Sequence, residues 1–203
     1  LVWGTGFEPG GGKKGASLRT RSEPVLNLEE KSWLGIIGDR ASGKTTLAPR
    51  LAEEMGMPWF DLDEVIAARV GRDHHSFFRI YGERRFREQE ELALHDLPRS
   101  PIILACGGGI CSNQPAMKVL IQKARFLYLN IPQKILLERR KAGVDQRPLL
   151  KNFQSVEEEI ESLYQSRKET YLRYAQWVVE WEGEDREGMV RKILNRWKNA
   201  NGV

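Results

Sequence analysis

Residues 38–46 read Gly-Asp-Arg-Ala-Ser-Gly-Lys-Thr-Thr, which is the spacing G-x-x-x-x-G-K-T. Gly38 and Gly43 let the backbone curl so that successive N–H groups, through Ala41, Ser42 and Gly43, point inward as an anion-binding nest. Lys44 then reaches the β- and γ-phosphates, the Thr45 hydroxyl can ligate Mg²⁺, and Thr46 continues the contact at the start of the next helix. The chemistry this spacing serves is the binding of a nucleoside triphosphate with magnesium. Other positions suggest who receives the phosphate. Asp61 and Asp63 stand two apart in "FDLDEVI"; one can act on magnesium, and the other can orient or deprotonate an acceptor hydroxyl. Acidic residues opening a helix would give the same pattern for electrostatic reasons alone.

Three further stretches carry groups for an anionic acceptor. In "YGERRFREQEEL", Glu83/Arg87 and Arg87/Glu90 fall at i,i+4 and i,i+3 spacing, which holds the Arg87 fork rigid and suits capture of a carboxylate. Gly107, Gly108 and Gly109 follow a buried strand in "ACGGGI" and permit close backbone approach to a ligand. "RRKAGVDQRPLLK" (139–151) carries Arg140 and Arg147 on a basic segment that reads as a lid over phosphates. Arg167 and Tyr171 form a later i,i+4 pair on one helix face. His74, His75 and His95 show no metal-ligand spacing and read as surface or supporting residues.

These groups need a scaffold, and the apolar pattern supplies it. Short apolar runs at 33–38, 58–63, 101–109, 124–131 and 177–182 alternate with helical stretches at 44–55, 63–70, 82–97, 112–123, 132–141, 156–174 and 186–199. Strands alternating with helices predict a parallel five-stranded sheet covered on both faces, a three-layer α/β/α domain. Runs such as "IILAC" suit strands buried on both sides. The motif at 38–46 thus lies on a strand-to-helix turn, the context that gives it meaning.

Composition sets outer bounds. The chain has 203 residues, 40% hydrophobic and 30% charged, with a formal net charge of +4. That suits a globular domain; so mild a positive charge gives no reason to invoke nucleic acid, and no apolar run approaches a membrane span. Two cysteines, Cys106 and Cys111, cannot build a disulfide framework, so a reducing, cytoplasmic setting is expected. Residues 1–31 are rich in Gly, Ser, Pro and charge and read as a flexible leader or linker before a domain at 32–203. Their start at Leu rather than Met suggests a piece of a longer chain.

The order G-x-x-x-x-G-K-T, "FDLD", "GERRFREQE", "GGG", "RPLL" and "RKETYLRYAQ" resembles the shikimate kinases over about residues 33–199. The resemblance implies a P-loop NTPase fold like that of nucleoside-monophosphate kinases, with a lid at about 141–155. It implies ATP-dependent phosphorylation of the shikimate 3-hydroxyl, a step of aromatic amino-acid biosynthesis, by a monomer. By motif, Asp63 would be the catalytic carboxylate and hold shikimate hydroxyls, with Asp61 and Thr45 at magnesium. Arg87 and Arg167 would clamp the shikimate carboxylate, and Gly107, Gly108 and Gly109 would contact the substrate through the backbone. Arg147 of the lid would lie over the phosphates beside Lys44, and adenine would sit near "EGEDREG" (182–188).

The chain departs from the family pattern at three places. Ala41 stands where many members carry glycine, a change an ordinary backbone conformation would tolerate. Ala67 replaces a usual glutamate, and Gln176 replaces the usual aspartate before the last strand. Two other functions are compatible with parts of the pattern. One is another small-metabolite kinase on the same scaffold, such as a gluconate kinase, because gluconate also combines a carboxylate with hydroxyls. The other is a ligand-sensing domain of a larger regulator, against which the complete set of Lys44, Thr45 and Asp63 speaks.

Overall fold

The computed structural model describes residues 32–143 and 153–201. The leader expected at 1–31, Arg147 and most of the expected lid therefore lie outside the described residues. The elements are β1 (Trp33–Ile37), α1 (Lys44–Met55), β2 (Trp59–Asp61), α2 (Leu62–Val70), α3 (His74–Asp96), β3 (Ile103–Ala105), a 3-10 turn (Ile110–Ser112), α4 (Gln114–Lys123), β4 (Ala124–Asn130), α5 (Gln133–Lys141), α6 (Val156–Tyr174), β5 (Trp177–Glu180) and α7 (Arg186–Asn201).

The five strands are parallel, in the order β2-β3-β1-β4-β5. Alternate residues of each strand point to opposite faces, so each strand feeds two cores. Trp33, Ile37, Leu104, Cys106, Phe126 and Tyr128 face α2, α3, α4 and Tyr171 of α6. Leu34, Ile36, Ile103, Ala105, Leu127 and Leu129 face α1, α7 and Leu136 of α5. Both faces being covered explains why β1 and β3 are apolar without a break. On the first face Gly35 leaves room for a neighbour: a Cβ there would lie 2.8 Å from the Phe126 ring.

Helix ends are fixed by side chains already visible in the sequence. Asp61 caps α2 by accepting from the Asp63 N–H, Asp73 caps α3 by accepting from Ser76, and Ser155 caps α6 by accepting from Glu158. Gly56 and Gly71 close α1 and α2 in left-handed conformations. Pro49 lies inside α1 without interrupting it. The largest departure from expectation is at α3. It begins at His74 rather than 82, and Gly82 (φ 79°, ψ 175°) breaks its helical geometry part-way. The Asp73 cap starts an earlier turn that the helix-breaking glycine hides from a pattern of apolar spacing.

The order of strands reverses beside β1, where β3 lies on one side and β4 on the other. In such sheets ligands collect beyond the carboxyl ends of the strands at this switch. Residues 38–46 follow β1 directly, Asp61 ends β2, and Gly107–Gly109 follow β3.

Candidate active site

The loop after β1 wraps back on its own lysine. Lys44 Nζ donates to the carbonyls of Gly38 (2.8 Å) and Asp39 (2.7 Å) and to Ser42 Oγ (3.2 Å). Lys44 is buried, 8% exposed, and its ammonium thus sits in the mouth of the loop at the first turn of α1. Gly38 (φ 149°) could not carry a side chain, since a Cβ would meet the Leu129 carbonyl at 2.9 Å. Ala41 is also left-handed, at φ 60°. The expectation that Ala41 rests in an ordinary conformation is therefore wrong: the loop keeps the turn that favours glycine and imposes it on alanine.

Behind this loop stands a carboxylate ladder. Thr45 Oγ1 donates to Asp61 Oδ2 at 2.6 Å, and Asp61 Oδ1 accepts from the Asp63 N–H at 2.9 Å. One aspartate thus joins the loop hydroxyl to the start of α2 and aims the next. Asp63 projects toward the glycines after β3, with Oδ1 3.0 Å from where a Gly107 Cβ would be. Burial, then the nearby charges of Asp61 and Asp63, push the Glu64 carboxyl up from its usual range.

The opposite wall is cationic. Arg87 Nη1 donates to both carboxylate oxygens of Glu90 (3.0 and 2.9 Å) and to the Gly109 carbonyl (3.2 Å), and Nη2 donates to Glu83 (3.1 Å). Burial works against the Arg87 charge, but Glu90 and Glu83 outweigh it and raise its pKa above the ordinary value. Glu90, itself 1% exposed, also accepts from Asn113 Nδ2 at 2.9 Å. The backbone at Gly109 lies so close to Arg87 that a Cβ would stand 2.8 Å from Nη2. Arg167 Nη1 lies 3.6 Å from a Cβ position at Gly108 and, unlike Arg87, has no ion pair among the described residues. Tyr171 donates to the Gly108 carbonyl at 2.5 Å, with Asp39 Oδ1 3.4 Å away. Burial pushes the Asp39 carboxyl up, against the pull of Lys44 and Arg167.

Two arginines sort differently from expectation. Arg140 is buried and pairs with Glu159 at 3.2 Å, which Arg40 of the loop also holds at 2.5 Å. Its neighbour Arg139 reaches the loop directly, donating to the carbonyls of Ala41 and Ser42 at 3.1 Å each, 5.9 Å from the Trp181 ring. Trp181 donates in turn to Glu184 in the 182–188 loop.

The family model described as shikimate kinase matches residues 40–198. The chain belongs to the shikimate kinase family. A shikimate kinase of Enterococcus faecalis is 32% identical over 164 residues, 80% of this chain and 96% of that protein. One from Aromatoleum aromaticum is 34% identical over 165 residues, 81% of this chain and 93% of that protein. The structure of a shikimate kinase from Acinetobacter baumannii in complex with shikimate superposes with a TM-score of 0.76 at 28% identity, covering 84% of this chain and 94% of that one. A gluconokinase from Sinorhizobium meliloti, at 16% identity and a TM-score of 0.55, shares the fold alone.

Within this shikimate kinase framework the structure brings together Gly38, Lys44, Thr45, Asp61, Asp63, Arg87, Gly107, Gly108, Gly109 and Arg167 around the ends of β1, β2 and β3. Residues that sequence spacing did not single out support them: Asn113 behind Glu90, Arg139 on the loop, and His74 beside Asp63 at 3.8 Å. No sequence signal pointed to Asn113 or Arg139, because their partners lie 23 and about 97 residues away. Gln176 does not merely lose a charge. Its amide accepts from the Phe126 N–H at 2.5 Å and donates to the Tyr174 carbonyl at 3.1 Å, pinning the entry to β5 on both sides. Cys106 and Cys111 are free and buried, and burial pushes the Cys111 thiol up to about 12. Among the described residues, no helix is long and apolar enough to cross a membrane.

Proposed function

We infer that this chain transfers the γ-phosphoryl group of ATP to the 3-hydroxyl of shikimate, giving shikimate 3-phosphate and ADP. The observation that carries this reading is the position of Asp63. Its N–H is tied through Asp61 to the Thr45 hydroxyl of the phosphate loop, and its carboxylate faces the glycine wall beside Arg87 and Arg167. A carboxylate between a phosphate site and two guanidinium groups suits an acceptor with hydroxyls at one end and a carboxylate at the other.

The roles follow from charge and reach. The loop N–H groups of residues 41–46 and Lys44 hold the phosphates, Lys44 exchanging the Gly38 and Asp39 carbonyls for phosphate oxygens. Thr45 Oγ1 and Asp61 Oδ2, 2.6 Å apart, are hard oxygen donors that fit magnesium and would hold it. A magnesium ion held by them would supply positive charge against that of the phosphates. Asp63 orients the acceptor hydroxyl and receives its proton as the oxygen attacks phosphorus. Arg87 and Arg167 take the acceptor carboxylate, Arg87 in a fork already held by Glu83 and Glu90. Gly107–Gly109 let the substrate approach the backbone, and Arg147 is assigned the charge developing on the transferred group. A monomer belongs to this reading. Two free, buried thiols support a cytoplasmic setting.

ADP release with Mg·ATP tests the reading, with shikimate, gluconate, quinate or no acceptor supplied in parallel. Stimulation by shikimate above the others is expected, and no stimulation by shikimate overturns it. Asp63→Asn should lower kcat by roughly 10²–10⁴ while leaving KM for ATP nearly unchanged. An unaltered kcat would remove Asp63 from the chemistry.

A further inference from the structure

His74 stands at the first turn of α3, outside the groups assigned above, yet its ring reaches Asp63 in the cleft that Thr45 and Asp61 also line. Nε2 of His74 is shielded from solvent, makes no hydrogen bond among the described residues, and lies 3.8 Å from Asp63 Oδ2. That is too long for a hydrogen bond as it stands and within reach of one after a small side-chain rotation. A buried ring nitrogen left without a partner is costly, and the Asp63 carboxylate is an acceptor already beside it. Catalytic hydrogen bonds are often long before substrate is present and shorten in the reacting complex.

The ring is placed rather than loose. Asp73 caps the helix from which His74 projects, accepting from the Ser76 N–H at 2.8 Å. The His75 ring stacks on it at 3.9 Å between centroids, and Phe86 lies 6.5 Å away. The cleft it enters measures about 270 Å³ and is shared with Asp61, Asp63, Glu64 and Ala67. Ala67, where the family usually has glutamate, brings no further carboxylate or bulk to the wall of that cleft. Asp61, Asp63 and Glu64 already crowd negative charge at this point, so a donor to Asp63 has work that a further acid could not do.

We propose that His74 is the positioning residue for Asp63: its Nε2–H donates to Oδ2 and so turns Oδ1, on the Gly107 side, toward the acceptor hydroxyl. The neutral imidazole serves as donor through one nitrogen, so the role requires only that this tautomer be the one present. The device is separate from the helix cap on Asp61, which holds Asp63 by its backbone N–H. The inference rests on the reading of Asp63 as the group that takes the acceptor hydroxyl.

Steady-state kinetics on four proteins tests it: the intact chain, His74→Phe, His74→Gln, and His74→Phe combined with Asp63→Asn. His74→Phe keeps the ring volume but has no donor, and should lower kcat roughly 10-fold, the scale of one lost hydrogen bond to a charged group, with KM for ATP unchanged. His74→Gln, which restores an N–H, should recover most of that loss. On the Asp63→Asn background, His74→Phe should cost nothing further, because the carboxylate it would orient is gone. Urea unfolding of each variant separates this from a folding defect, and His74→Leu replaces Phe if the latter is unfolded. An unchanged kcat in His74→Phe, an equal loss in the Phe and Gln variants, or the same fold-loss on the Asp63→Asn background would each overturn the proposal. If the intact chain shows no shikimate-dependent ADP release, the functional reading has failed. Normal release, sensitive to Asp63→Asn but not to His74→Phe, discards His74 alone.

Discussion

At the scale of single residues, the site is a set of held charges. Arg87 is the clearest case: Glu83, Glu90 and the Gly109 carbonyl fix its guanidinium before any ligand arrives, which limits the entropy lost on capturing a carboxylate. Arg167 has no such ion pair among the described residues, where its charge draws the Asp39 carboxyl down against burial. Ala41 shows the opposite economy. A left-handed alanine costs about 1–2 kcal/mol, whereas glycine at the same place would instead enlarge the freedom of the unfolded chain by roughly 0.4–1 kcal/mol. Ala41→Gly should therefore raise the unfolding free energy in urea by up to about 1 kcal/mol and leave kcat intact. A clear loss of stability would show that the loop does not hold residue 41 in that conformation. The motif at 38–46 was fully legible in sequence, but the handedness of residue 41 was not. It follows from the carbonyl positions that close around Lys44, a property of the folded loop.

At the scale of elements, the site depends on how closely the loop after β3 approaches α3. Gly109 has an ordinary negative φ of −100°, so alanine fits its backbone, but the new methyl would stand 2.8 Å from Arg87 Nη2. Gly109→Ala should displace the guanidinium, raise KM for shikimate by roughly 10-fold or more, and leave KM for ATP unaltered, a misplacement of about 1 Å being enough to cost that much. A KM for shikimate equal to that of the intact chain would mean that Arg87 does not contact the acceptor. The three glycines and the Glu83-Arg87-Glu90 spacing were both readable along the chain. Their contact was not, because 22 residues separate Arg87 from Gly109 and only the pairing of β3 between β2 and β1 brings them together. The early start of α3 belongs here too. Gly82 hid a helical turn from the apolar pattern, and with it the side chain of His74.

At the scale of the whole molecule, ligand groups come from β1, β2, β3 and their following loops, α3 and α6, so binding couples elements on both sides of the sheet switch. A ligand that binds only the folded state stabilises it by mass action, about 2.7 kcal/mol at 100 times its Kd. Mg·ATP and shikimate at such excess should each raise the urea midpoint, and Asp63→Asn should keep the ATP response. A shikimate response that survives Arg87→Ala combined with Arg167→Ala unchanged would dissociate the arginines from acceptor binding. The sequence by itself determined the alternation of strands and helices, the phosphate loop on its strand-to-helix turn, the paired aspartates and the pre-organised Arg87, because each is a local matter of apolar period, capping or i,i+4 reach. Only the tertiary structure decided that Arg139 donates to the loop carbonyls, that Arg140 shares Glu159 with Arg40, that Asn113 backs Glu90, that Gln176 ties β4 to β5, and that an imidazole stands beside Asp63. Those contacts join residues far apart in the chain, and the order of strands in the sheet, which no local pattern encodes, sets which of them meet.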